Sequence, residues 1–477
     1  MKLKELISGI SVLESNVNME LEIADVAYDS RKVVPGGMFV AITGFATDGN
    51  RFIPMALEKG AAVVVTAVKP GEGVPYVLVE SDRKALARIG ANRFGHPSKA
   101  MTMVGVTGTN GKTSATLLLK HVIEQITGAK VGLIGTMENL IGDEVVPTER
   151  TTPESYELQA LFARMRDGGC KYVVMEVSSH ALTLDRVDGV RYDVAAFTNL
   201  SVDHLDFHNT MENYCDAKAL LFERCGRAVM NCDDPWFARM RTKVTCDVLT
   251  TSMEAPAGLY AENVRLLSDG VAFTAVNGGK SVAVTLPIPG KFTVYNALTV
   301  LGAAVQLGIS LEDAARALAT AHGVKGRVEV VPTPGKPYTV LIDYAHTPDG
   351  LENVLSSVRG FCKGRMIAVF GCGGDRDRTK RPVMGAIGVK LADIVVVTSD
   401  NPRTEEPAAI IRDIMEGVGD AKNAVVVENR VEAIHYAMDI AQKDDIIVLA
   451  GKGHETYQEI CGVKHHMDER EIVAQYL

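Results

Sequence analysis

A chain of 477 residues is too long for one hydrophobic core and predicts about three domains of ~150 residues each. With 47% apolar and 23% charged residues it has the composition of a soluble globular protein, and a net charge of −9 argues against nucleic acid or an anionic membrane as its main partner. The cysteines at 170, 215, 225, 232, 246, 362, 372 and 461 form no C-x-x-C pair, which predicts reduced thiols in a cytoplasmic setting rather than a zinc site or a disulfide framework. Residues 1–11 alternate charged and apolar positions, unlike a signal peptide, and apolar runs such as 61–68 are too short to span a bilayer.

Residues 1–99 read as a small α/β domain. Strands are expected at 38–42, 61–65 and 76–79, and a helix at 52–59 stops at Gly60. Asp29-Ser30-Arg31 followed by Pro35-Gly36-Gly37 is a polar turn, an ordinary surface turn or an anion or sugar contact. His96-Pro97-Ser98-Lys99 is the linker to a second domain, 100–327.

That domain opens with Met103-Val104-Gly105-Val106-Thr107-Gly108-Thr109-Asn110-Gly111-Lys112-Thr113-Ser114: a short β-run, a glycine-rich turn, then a helix over 115–124. Glycines let backbone N–H groups approach phosphate oxygens, and the helix N-terminus adds its positive end. Lys112 is placed to reach the outer phosphates and the Thr113 hydroxyl to ligate Mg²⁺. The spacing departs from G-x-x-x-x-G-K-[ST], because position 106 is Val. A strand over 172–175 ends in Glu176-Val177-Ser178-Ser179-His180, where a carboxylate at the strand's carboxyl end can face the phosphates. Another, over 193–199, leads to Asp203-His204-Leu205-Asp206-Phe207-His208, whose density of His and Asp predicts metal ligands. Lys218 lies on an expected helix over 211–223, where a lysine ordinarily snorkels to solvent. Residues 225–290 look hairpin-like, and helices are expected at 296–307 and 311–319. From 328 to 477, strands at 338–342, 366–370, 394–398 and 446–450 each end in a polar loop, which predicts a doubly wound sheet with one ligand edge.

The motifs Thr107-Gly108-Thr109-Asn110-Gly111-Lys112-Thr113, Glu176-Val177-Ser178-Ser179-His180, Asp203-His204-Leu205-Asp206, Asp343-Tyr344-Ala345-His346-Thr347-Pro348-Asp349 and Gly451-Lys452-Gly453-His454-Glu455 together resemble the Mur ligase family. Its members extend the peptide of bacterial cell-wall precursors by ATP-driven amide formation. Asp400-Asn401-Pro402-Arg403 is similar to the recognition motif of the branch that adds meso-diaminopimelate. The resemblance implies an α/β protein of three domains: a small N-terminal domain for the UDP end of the precursor, a central, mostly parallel ATP-binding sheet, and a C-terminal dinucleotide-binding-like sheet for the amino acid.

By motif position, Ser30, Thr151, Thr152, Ser178 and Arg186 would contact UDP-muramoyl-dipeptide. Gly108, Thr109, Asn110, Gly111, Lys112, Thr113 and Ser114, with Asn296, Arg327 and Asp343, would contact ATP. Thr113, Glu176 and His204 would hold Mg²⁺, and Lys218 falls where the family carries a carbamylated lysine. Arg376, Asp400, Asn401, Pro402, Arg403, Gly451 and Glu455 would receive diaminopimelate. A monomer is expected, with closure of the domains around the substrates. The chain departs from the family pattern at Arg150, at Thr293 and in the loop Phe45-Ala46-Thr47. Neighbouring readings are a lysine-adding member, a ligase like folylpolyglutamate synthase, and a nucleotide-switched binding protein without ligase chemistry.

Overall fold

A computed structural model describes residues 1–44, 47–148 and 150–477, so Phe45 and Ala46 of the first-domain loop lie outside the described residues. The chain gathers into two compact units, Met1–Thr251 with Thr299–Ser310, and Ser252–Leu298 with Leu311–Leu477.

The first unit holds two sheets. The smaller has the order Val12–Ser15, Tyr76–Val79, Val63–Thr66, Met38–Ala41, Val26–Ala27, parallel apart from the first pair. Helix Asp82–Arg93 follows it, capped by the Ser81 hydroxyl, in keeping with the preference of serine for that position. In the larger sheet the strands Asp247–Ser252, Cys225–Asn231, Tyr192–Phe197, Thr102–Thr107, Tyr172–Glu176 and Val131–Ile134 are all parallel. Strands Asn139–Ile141 and Glu144–Val146 extend it antiparallel. Strand order departs from Thr102–Thr107 in both directions, which makes the carboxyl end of that strand a switch point and the expected place for a ligand. Met103, Val104 and Val106 are buried, as a strand covered on both faces requires.

In the second unit Leu259–Leu267, Gly270–Asn277 and Lys280–Leu286 form an antiparallel meander, with turns where Ser268-Asp269-Gly270 and Asn277-Gly278-Gly279 were expected. A six-stranded sheet follows in the order Glu329–Val331, Thr339–Asp343, Ile446–Ala450, Met366–Phe370, Ile394–Val397, Ala424–Val426, parallel apart from the first strand.

One expected region differs. Within 225–290 only the meander is hairpin-like; Cys225–Asn231 and Asp247–Ser252 are parallel strands joined through helix Phe237–Arg241. Ala228, Val229 and Met230 are fully buried and Asn231 is buried too, so the second half of this strand has no solvent face and no alternation to read. The short strands Asn139–Ile141 and Glu144–Val146, and the hairpin Tyr457–Ile460 with Val463–His466, lacked a sequence signal for the same want of length. Among the described residues no helix is long and apolar enough to cross a membrane.

Helices Lys380–Leu391 and Pro407–Val418 approach until only glycine fits between them. A Cβ on Gly417 would lie 1.7 Å from the Pro382 carbonyl oxygen, and one on Gly385 would lie 2.2 Å from that of Ile414. Gly417→Ala is therefore expected to destabilise the protein by about 3 kcal/mol, since neither backbone can yield cheaply. A urea titration followed by circular dichroism checks this, and an unchanged midpoint would contradict it.

Candidate active site

The phosphate loop turns on two glycines with positive φ, Gly108 at 150° and Gly111 at 84°, and helix Lys112–Thr127 starts directly after the second. The helix thus begins three residues earlier than its apolar spacing predicts, and the amides of its first turn have no helical acceptor. The loop is latched to the strand end at Thr198 and Asn199. The Thr198 hydroxyl donates to the Asn110 carbonyl at 2.6 Å, Asn199 Nδ2 to the same oxygen at 3.1 Å, and Asn110 N to Asn199 Oδ1 at 3.0 Å. A Cβ on Gly108 would sit 1.9 Å from the Thr198 hydroxyl oxygen, so this close approach demands glycine. Lys112 Nζ folds back on the loop, donating to the carbonyls of Gly108 at 3.0 Å and Thr109 at 2.8 Å.

Glu176 stands at the carboxyl end of the neighbouring strand, buried, and meets this loop. Thr113 Oγ1 donates to Glu176 Oε1 at 2.9 Å, and Thr136 supplies its amide to Oε1 at 2.9 Å and its hydroxyl to Oε2 at 3.0 Å. A threonine hydroxyl and a carboxylate side by side next to a phosphate cradle are hard oxygen donors of the kind Mg²⁺ takes, with water and substrate phosphates completing the shell. The donor set therefore fits that ion.

The expected cluster at 203–208 is arranged differently. Among the described residues, no group of three or more His, Cys, Asp or Glu side chains is assembled to hold a metal. His204 has a left-handed backbone (φ 53°) and starts the single turn Leu205–His208, so His204 is exposed while His208 is buried. His208 Nε2 is 2.9 Å from the Ser179 hydroxyl. Burial, and after it the neighbouring His180, push His208 down to about 4, so it stays neutral at physiological pH. His180 packs edge-on against His204, ring centroids 4.9 Å apart, and burial lowers its pKa as well.

Lys218 does not snorkel. It is 1% exposed, its Nζ donates to the Gly108 carbonyl at 2.7 Å, and the Tyr214 ring lies beneath it, 4.5 Å from Nζ to centroid. Burial, and then the charge of Lys112, hold its amine well below the ordinary lysine range. A lysine kept partly neutral is a nucleophile, which no reading of its own helix predicts.

The residues expected to meet the precursor fall into two places. Thr151 Oγ1 lies 3.0 Å from Thr136 Oγ1, Thr152 Oγ1 donates to the Glu176 carbonyl at 2.9 Å and accepts from Ser178 N at 3.2 Å, and Ser178 caps the helix Ser179–Thr183. Arg186 joins them through Nη1 to the Thr152 carbonyl at 3.3 Å and Nε to Glu154 at 3.2 Å. These four thus border Glu176. Ser30 is buried in the small sheet's domain, with its hydroxyl 3.3 Å from Met55 Sδ.

Asn296, Arg327 and Asp343 belong to the second unit. Asn296 is buried on helix Lys291–Gln306. Asp343 accepts from Val328 N at 2.9 Å and Ala345 N at 2.8 Å, with its pKa raised by burial, and the Arg327 guanidinium lies 5.6 Å from the Tyr344 ring centroid.

In the same unit a cavity of about 640 Å³ opens beyond the carboxyl ends of the strands, and its wall includes Arg376, Asp400, Asn401, Arg403, Gly451 and Glu455. Pro402 serves the turn, its carbonyl accepting from Glu405 N at 3.0 Å. Arg376, Lys380 and Arg403 line this cavity together with Asp377, Asp400 and Glu455, a balance suited to a ligand carrying both charges. Asn401 Nδ2 donates to Glu455 Oε2 at 2.9 Å, and the buried Lys452 Nζ reaches Asn401 Oδ1 at 2.7 Å and Glu455 Oε2 at 3.0 Å. Asp400 Oδ2 sits 3.9 Å from the fully buried Arg430. Reading strand-end motifs missed Thr136, Thr198, Asn199, Lys452 and Arg430. Lys452 stands inside a glycine motif and was legible as a candidate; the others lie in stretches of no distinctive composition.

Three family models match the chain in sequence: "Mur ligase family, catalytic domain" over 22–93, "Mur ligase middle domain" over 106–304, and "Mur ligase, glutamate ligase domain" over 326–453. A UDP-N-acetylmuramoyl-L-alanyl-D-glutamate–2,6-diaminopimelate ligase of Clostridium acetobutylicum is 48% identical over 480 residues, covering 100% of this chain and 99% of the relative. The ligase of the same name from Caldanaerobacter subterraneus is 48% identical over 481 residues, again covering 100% and 99%. A solved structure titled with that ligase name superposes with a TM-score of 0.77 at 32% identity, covering 100% of this chain and 98% of the other. A folylpolyglutamate synthase of Mycobacterium tuberculosis, at 19% identity and a TM-score of 0.60, shares the fold alone. The chain belongs to the Mur ligase family.

Proposed function

We propose that the protein is an ATP-dependent amide ligase that joins meso-2,6-diaminopimelate to UDP-N-acetylmuramoyl-L-alanyl-D-glutamate in peptidoglycan precursor synthesis. The observation that carries the choice of amino acid is the charge-balanced cavity into which Arg376, Asp400, Asn401, Arg403, Gly451 and Glu455 converge. Diaminopimelate bears two carboxylates and two ammonium groups, and lysine lacks the distal carboxylate. Arg403 presents the planar fork that pairs with that group. The domains in this reading are 1–99 for the precursor, 100–327 for ATP and 328–477 for the amino acid.

A carboxylate cannot condense with an amine in water because oxide is too poor a leaving group. Transfer of the γ-phosphoryl group of ATP to the D-glutamyl side-chain carboxylate gives an acyl phosphate and ADP. The amine of diaminopimelate then attacks the carbonyl carbon, the C–O bond to phosphate breaks, and the amine gives up a proton. The first step brings two anions together. Lys112, the amides of Gly108 to Ser114 and Thr113 are the groups of this chain that offset their repulsion, and fixed donors of this kind need no reorganisation as charge develops. Thr113, Glu176 and His204 would hold Mg²⁺, which when bound neutralises phosphate charge.

Thr151, Thr152, Ser178 and Arg186 border Glu176, so a precursor held there and by Ser30 would offer its carboxylate to the phosphate. Asn296, Arg327 and Asp343 complete the ATP contacts in this reading. Lys218 would carry a carbamate: its amine, buried against the Gly108 carbonyl and depressed in pKa, would add to CO₂ with loss of a proton, and the carbamate would supply oxygen donors for Mg²⁺.

Phosphate release with UDP-muramoyl-dipeptide and ATP tests the whole. It is expected to depend on diaminopimelate, with lysine slower by ~10⁴ because it leaves the donors at the end of the Arg403 fork without a carboxylate. Equal rates with lysine would overturn the choice of amino acid, and no amino-acid dependence would overturn the ligase reading.

A further inference from the structure

The hairpin Tyr457–Ile460 with Val463–His466 attracted no attention in the sequence, yet it is the floor on which the Asp400-Asn401-Pro402-Arg403 loop rests. Gln458 Nε2 donates to the Asp400 carbonyl at 2.7 Å and Glu459 N donates to Asn401 Oδ1 at 2.9 Å. Arg403 pairs with the hairpin through its main chain: its N–H donates to the Glu459 carbonyl at 3.0 Å, and its carbonyl accepts from Cys461 N at 2.8 Å. Arg403 holds a left-handed backbone, φ 52°, to do so. This pairing brings the side chains of Arg403 and Glu459 together. Arg403 Nε donates to Glu459 Oε2 at 3.2 Å, and Arg403 Nη1 donates to the Gly374 carbonyl at 2.8 Å.

A guanidinium has five N–H donors and two edges on which a carboxylate can sit bidentately. Glu459 engages Nε, and Gly374 takes one Nη1 hydrogen. Neither bond uses Nη2, so the end of the fork keeps donors for a ligand. We propose that Glu459 is the positioning residue of Arg403: it occupies the side edge of the guanidinium, aims the end of the fork at the distal carboxylate of the amino acid, and so helps set the choice of substrate. Without it the long side chain recovers rotamer freedom that binding must then remove. This inference rests on the reading of Arg403 as the diaminopimelate contact.

Steady-state kinetics of the full chain with UDP-muramoyl-dipeptide and ATP, comparing diaminopimelate with lysine, tests it in three variants. Glu459→Ala is expected to raise KM for diaminopimelate about tenfold, the cost of one charge-assisted hydrogen bond, with kcat and KM for ATP within about twofold of the parent. Its preference over lysine narrows by the same factor. Glu459→Gln keeps an oxygen that accepts from Nε and is expected to restore KM to within about threefold. An unchanged or lowered KM in Glu459→Ala would overturn the proposal, as would Glu459→Gln behaving like alanine or both variants losing ATP affinity. Arg403→Ala separates the two ideas. If it leaves the preference for diaminopimelate intact, the underlying reading of the site fails; if it narrows the preference while Glu459→Ala changes nothing, only the role of Glu459 fails.

Discussion

Arg403→Ala is expected to cut kcat/KM for diaminopimelate by about a hundredfold or more, because truncating one partner of a hydrogen-bonded charge pair costs roughly 2–5 kcal/mol. The side chain is only 21% exposed and lines the cavity, so a pair with a ligand carboxylate would be shielded from much of the solvent that weakens surface pairs. Activity with lysine, which lacks the distal carboxylate, should change little, so the preference for diaminopimelate should narrow by the same factor. ATP affinity should be retained, since the phosphate loop belongs to the other compact unit. Competition kinetics with both amino acids measure this. A variant that keeps the parent's full preference for diaminopimelate would remove Arg403 from substrate selection.

Lys218→Ala is expected to lower kcat by about a thousandfold, the scale of losing a charge-stabilising group aimed at a phosphoryl transition state. The loss should not come from unfolding. The Gly108 carbonyl keeps Lys112 Nζ at 3.0 Å after Lys218 is gone, and the deleted amine was itself costly to bury. Small carboxylates added to Lys218→Ala should restore part of the activity by supplying the missing oxygen ligand, and Lys218→Arg should not be rescued. Intact-mass measurement of the parent under mild conditions should show the extra 44 Da expected for a carbamate (~44, CO₂ replacing a proton and returning one). Full activity of the parent in bicarbonate-free buffer, with an unmodified amine, would contradict this role.

The two residues illustrate different kinds of legibility. Arg403 follows Asp400 and Asn401 in a compact loop just beyond the end of a buried strand, so its sequence neighbours announce it. Lys218 lies among Ala217, Ala219 and Leu220 on an ordinary helix, and its importance comes from burial beneath Gly108, more than a hundred residues away in the chain. The histidines show the reverse. The stretch 203–208 looked like metal-site material because its His and Asp are close in sequence, but one helical turn leaves His204 exposed and carries His208 inward to Ser179.

By itself the sequence determined the α/β class, the parallel sheets, the phosphate loop and the strand ends that carry polar motifs. These follow from local rules: apolar runs bury strands, and glycine is needed where backbone must turn left or come close to another chain segment. Tertiary structure alone decided that Thr113, Thr136 and Glu176 share one carboxylate, that Lys218 is dry, and that Glu459 lies against Arg403. Each of those depends on which strands become neighbours and how far solvent is excluded. Such properties arise from contacts between residues remote in sequence, where no local periodicity or spacing records them.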